Sequence, residues 1–150
     1  MSGLIILAVG SALVLALLNF LKVKQQSAGT KEMRQIADAI SEGADAFLNL
    51  QYKVIFYIAL VILALMIVAV SWQAGLAFLL GCIMSATAGW IGMKTATLAN
   101  VRVSNKARET ESLGQTLKLA FTGGSVMGLA VGGFALLGLG IVFYVFGHLF

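Results

Sequence analysis

Few side chains in this sequence have the types and spacing that chemistry needs. Asp38, Glu42 and Asp45 fall at i, i+4 and i+7, which is one face of a helix. Three carboxylates on one face can hold a divalent cation, because hard cations take oxygen ligands. The same spacing is also the ordinary pattern of a solvated helix face, and that is the reading adopted. Gly123–Gly128, the run GGSVMG, could cradle a phosphate with its backbone N–H groups. It lacks the Lys-Ser/Thr pair of a P-loop and opens an apolar stretch, so close helix packing is preferred. Cys82 is the only cysteine and sits inside an apolar band. It can form no intramolecular disulfide and reads as a small packing residue. His148, the single His, is expected to be an interfacial polar residue. Asn19, Asn100 and Ser104 can cap helices or bond across them. No Ser/His/Asp set, cysteine cluster or zinc-ligand spacing occurs, so no catalytic, cofactor-binding or metal-ligating residue is assigned.

The elements that would carry these residues are set by charge segregation. All ten basic and six acidic side chains fall in two stretches, Lys22–Lys53 and Lys94–Lys118. Residues 1–21, 54–93 and 119–150 carry no charge. A charge at the bilayer centre costs about 2.5–3.5 kcal/mol on insertion scales, which a soluble domain has no reason to avoid over 40 positions. Hydrophobic residues make up 60% of the 150, and only 11% are charged, against about 25% in soluble chains. The net charge of +4 could suggest nucleic acid in a soluble protein. Here the basic residues flank spans, so topology explains them and no nucleic-acid partner is assigned.

The bands predict an all-α, polytopic membrane helix bundle with four spans, at about 4–21, 54–70, 76–93 and 120–146. The middle band is twice the length of one crossing, so Ser71–Gly75 is expected as a tight turn, with Trp72 as an interfacial anchor. In the first charged stretch Met33, Ile36, Ala37, Ile40, Ala44, Phe47 and Leu48 recur at three- and four-residue steps. That is an amphipathic helix, with Thr30 as N-cap and Glu32 in its first turn. No Pro separates it from the second span, so one long helix protruding from the bilayer is expected. Gly114 is expected to break the chain between the second charged stretch and the fourth span. By the positive-inside rule, 22–53 and 94–118 are cytoplasmic and the N-terminus lies outside. No basic region precedes residues 4–21, so the first apolar segment reads as a span and not a signal peptide.

Small residues line spans three and four. Gly81, Ser85 and Gly89 form one four-residue row, and Ala88, Gly92 and Ala96 a second. Gly124, Gly128 and Gly132 form a GxxxGxxxG row. Such rows let backbones approach closely. They predict faces meant for other helices, and the two rows on span three point to more than one partner, which is a lot for a four-helix protein.

Three segments carry a family resemblance. ISEGADAFLNLQYKVIFYIAL (Ile40–Leu60), GWIGMKTATLANVRVSNKA (Gly89–Ala107) and LKLAFTGGSVMGLAVGGFALLGLG (Leu117–Gly140) resemble, in order and spacing, segments of the membrane-integral inorganic pyrophosphatases, which pump H⁺ or Na⁺. Val103-Ser104 departs mildly from the Thr-Ala that often follows Asn-Val-Arg in that family. The resemblance implies a protein of about sixteen spans, each of about 20 residues, of which this chain is the N-terminal part. It implies a homodimer that hydrolyses pyrophosphate with Mg²⁺, in some members with K⁺, at an active site facing the cytoplasm. The Mg²⁺-binding aspartates of the family stand in Asp-rich motifs such as D-x-x-x-D. Here Asp38 and Asp45 are seven apart, so no catalytic or metal position carries over, and the expected role is that of outer helices. A plasma membrane of a bacterium or archaeon is the expected location. The alternative is a complete four-span transporter or assembly subunit.

Overall fold

The computed structural model describes residues 2–147; His148 lies outside the described residues. It contains four helices: α1 (Ser2–Lys24), α2 (Lys31–Ala69), α3 (Trp72–Thr110) and α4 (Leu113–Phe146). All four are long and apolar enough to cross a membrane. At about 1.5 Å per residue, the 39-residue helices α2 and α3 are each about 58 Å long, roughly twice a hydrocarbon core of about 30 Å. Each therefore joins a span and a charged extension in one rod. Thr30 caps α2, its Oγ1 accepting from the Met33 N–H at 3.3 Å. Glu32 is held below the ordinary carboxylate pKa by a hydrogen bond from its own backbone N–H and a second from Thr30.

The turn between α2 and α3 is shorter than expected. Only Val70 and Ser71 lie outside the helices, and Trp72–Gly75 already belongs to α3. Ser71 explains this: its hydroxyl accepts from the Ala74 N–H at 3.2 Å, capping α3 at once. Gly75 serves close approach instead of turning, since a Cβ there would collide with Ile67. Gly114 likewise is no break but lies in the first turn of α4. The chain turns at Glu111, which adopts the left-handed region (φ 46°) and bonds its N–H to the Ala107 carbonyl. A left-handed non-glycine residue costs about 1 kcal/mol, so Glu111→Gly is expected to raise thermal stability in detergent by about that amount.

The helices pack in the spatial order α2, α3, α4, α1, with α1 also touching α3. Among the described residues α1 and α2, neighbours in sequence, do not pack on one another. The buried positions are small. Val9, Ala16 and Val23 recur every seven residues on α1, and Val126 and Ala130 are buried on α4. Ala88, Thr95 and Ala99 line α3. Leu48 is the buried hydrophobe of α2. Most large apolar side chains point outward, from Leu4 to Tyr144. That distribution suits a fold whose solvent is lipid, where contact between helices comes from tight van der Waals packing and not from burying bulky residues.

Candidate functional site: docking faces and a charged-side clasp

Because α1 and α2 lie on opposite sides of α3 and α4, the connection 25–30 must cross α3. It does so at Arg102 and Asn105. Arg102 Nε donates to the Gln26 carbonyl at 3.1 Å and Nη1 to the Leu98 carbonyl at 2.8 Å. Partial burial pushes this guanidinium below its ordinary pKa, a direction that still leaves it charged at neutral pH. Asn105 is 1% exposed. Its Nδ2 donates to the Ser27 carbonyl at 3.3 Å and to Glu109 Oε1 at 2.9 Å, while Oδ1 accepts from Arg108 Nη2 at 2.9 Å. Gly29 completes the clasp: its φ is +82°, and a Cβ there would stand 2.7 Å from Asn105 Oδ1. Both the conformation and the space demand glycine.

Asn105 had no place among the residues singled out from sequence. The polar spacing Asn105, Arg108, Glu109 marks one helix face, but its partner Ser27 is 78 residues away. Of Asn19, Asn100 and Ser104, Asn19 bonds across helices, donating to Ser125 Oγ at 2.9 Å. Ser104 donates to the Asn100 carbonyl of its own helix. Asn100 is exposed beside a small groove. A further bridge, Tyr52 hydroxyl to the Ala86 carbonyl at 2.7 Å, joins α2 to α3.

The acidic face is partly committed. Asp45 pairs with Lys94 of α3 at 2.6 Å, both half-exposed, while Asp38 and Glu42 face outward. Exposed pairs are worth about 0–1 kcal/mol, so Asp45→Asn is expected to lower the melting temperature slightly, and less in high salt. Gly123–Gly128 lies well inside α4, where its N–H groups are used by the helix. Cys82 is a half-buried free thiol.

The small-residue rows divide sharply between used and open faces. Gly92 meets Met127, Gly123 meets Ala99, and Gly133 meets Leu13, each with an added Cβ at 3.0 Å or less. Gly89 lies beside the Tyr52 hydroxyl. By contrast Gly81, Gly124, Gly128 and Gly132 have nothing within 4 Å of a Cβ. Gly81, Ser85 and Gly89 form one wall of an open apolar groove of about 580 Å³ between α3 and α4. Phe134, Ala135 and Gly138 lie on the other wall. The open rows are small-residue faces of the kind that helices pack against closely.

Residues 10–149 match the family described as inorganic H⁺ pyrophosphatase. A K⁺-stimulated pyrophosphate-energized sodium pump of Thermotoga maritima is 53% identical over 136 residues, covering 91% of this chain and 19% of the pump. A K⁺-insensitive pyrophosphate-energized proton pump of Moorella thermoacetica is 44% identical, with 91% and 20% covered. A K⁺-insensitive proton pump of Methanosarcina mazei is 40% identical over 83% of this chain and 19% of its own length. The chain thus spans about a fifth of the length of the curated relatives it matches.

Proposed function

The chain belongs to the inorganic H⁺ pyrophosphatase family, and from that premise we propose that it forms the first four spans of a pyrophosphate-energised H⁺ or Na⁺ pump. The observation that supports this most directly is the pairing of a match over 91% of the chain with open small-residue faces that its own helices leave unfilled. Gly81 and Ser85 on α3, and Gly124, Gly128 and Gly132 on α4, seat further spans of the pump, while Gly89 and Gly92 serve contact within the four-helix unit. The charged extensions stand in the cytoplasm and the N-terminus outside, because all ten Lys and Arg lie on one side. The complete pump is a homodimer in a bacterial or archaeal plasma membrane.

Mg²⁺ is the expected cofactor of pyrophosphate hydrolysis, where it neutralises phosphoryl oxygens, and K⁺ can stimulate. The residues present do not fit a Mg²⁺ site. Among those described, no three His, Cys, Asp or Glu gather closely enough to hold a metal, and Asp45 is taken by Lys94. In the proposed pump, substrate and metal are held by the remaining four-fifths of the polypeptide.

The test is direct. Purified residues 1–150 in lipid vesicles should show no Mg²⁺-dependent release of phosphate from pyrophosphate, whereas the full polypeptide should hydrolyse it and move H⁺ or Na⁺. Hydrolysis by residues 1–150 refutes the assignment of the active site elsewhere. An intact polypeptide that ends at Phe150 supports a small four-span transporter or assembly subunit instead.

A further inference from the structure

Packing α2 on α3 alone leaves an apolar ladder exposed along α2. Ile36, Ile40, Phe47, Leu50, Tyr57 and Val61 are between 45% and 68% exposed. With Gly43 and Val54 they step by four and three residues without a break, which is the spacing of a coiled-coil seam. Lys53 marks where the charged extension meets the apolar span. Ile36 lies 17 residues beyond it, about 26 Å along the rod. Lipid tails can cover Tyr57 and Val61 but not Ile36 or Ile40, and a soluble partner can cover only the far end. At that end Ile36 and Ile40 open into a groove of about 190 Å³ whose second wall is Asn100, Val101 and Ser104 of α3. The positions beside the seam include Ala37, Ala39, Ala44 and Ala46, which are small and uncharged and permit a close neighbour.

We propose that this seam seats a second long helix, one that also crosses the membrane and protrudes on the charged side, supplied by the remainder of the same polypeptide. The proposal rests on the reading of this chain as the first part of a longer pump. Relatives are about five times the matched length, so most of their helices lie outside this segment. A tethered helix reaches α2 at an effective concentration of about millimolar, which favours it over a second copy.

The experiment uses the full polypeptide in its membrane with Cys82→Ser. An impermeant thiol reagent should modify Ile40→Cys at least about tenfold more slowly than Asp38→Cys, whose position is exposed in the four-helix unit. A benzophenone amino acid at Phe47 should crosslink within one chain, joining the 31–53 segment to a peptide beyond residue 150 at unchanged mass. Equal labelling rates, a lipid adduct, or an adduct of doubled mass from a second copy would each overturn the proposal. Retained pyrophosphate hydrolysis certifies each variant, and Leu50→Cys reports the same face if Ile40→Cys folds poorly. An antibody to residues 1–150 separates the two layers. A 15.8 kDa product in cells defeats the longer-pump reading itself, whereas a product about five times larger with a solvent-exposed seam defeats only the docking helix.

Discussion

Asn105→Leu is expected to free the 25–30 connection from α3. The substitution removes the donor to the Ser27 carbonyl and strands Glu109 and Arg108, which Asn105 joins in one cluster. Ser27, Arg108 and Glu109 are exposed and water can replace the lost partner, so each bond is worth about 0.5–1.5 kcal/mol, which corresponds to about 2- to 13-fold more frequent local opening. Limited proteolysis at Gln25–Thr30 in nanodiscs reads that opening directly. Gly29→Ala should produce a similar change by a different route, because its Cβ meets both a left-handed backbone and Asn105 Oδ1. In an Asn105→Ala background the part of the Gly29→Ala effect due to Asn105 should vanish, while the contact with Met33 Sδ at 2.7 Å and the backbone share remain. A double-mutant cycle that shows strict additivity would separate the two residues and dissolve the clasp as a unit.

The second large effect contrasts two adjacent glycines. Gly123→Leu should disrupt the four-helix unit, since the first added carbon would stand 3.0 Å from Ala99 Cβ, an atom that moves only with its backbone. Overpacking at so rigid a contact costs about 3 kcal/mol, at the upper end of the usual range. Gly124→Leu points to the open side and should leave the thermal stability of residues 1–150 unchanged. In the full pump the order should reverse in part: Gly124→Leu and Gly128→Leu should reduce assembly and pyrophosphate hydrolysis even though nothing in the four-helix unit touches them. If Gly124→Leu were silent in the full pump, the GxxxGxxxG row would face lipid and the docking role would fall.

Charge and periodicity made much of the architecture legible. Thr30 as cap and the unbroken run from Lys31 to Ala69 follow from local chemistry: a hydroxyl before the first turn, and no Pro to stop the rod. Ser71 and Glu111 show where local reading failed. The run Ser71–Gly75 reads as one turn and Gly114 as a break, yet Ser71 caps α3 at once, a left-handed Glu111 makes the second turn, and Gly75 is needed for contact with Ile67. The small-residue rows were visible as rows, but spacing along one helix does not say which neighbour arrives. Gly123 and Gly124 are adjacent in sequence and opposite in fate. Asn105 was hidden for the same reason, its partner lying on a connection whose route is fixed only by the spatial order of the helices.

The spatial order α2, α3, α4, α1 has a consequence in time. Helices leave the ribosome as α1, α2, α3, α4, at about 5–20 residues per second. The α2–α3 hairpin can therefore close as soon as it is made, while α1 has to wait for its main neighbour. Asn19 and its acceptor Ser125 are 106 residues apart, so α1 spends about 5–20 s with that amide unpaired by α4. The first helix synthesised is the last to find its place. The nascent bundle must hold a loose helix at its edge until translation delivers the wall it belongs to.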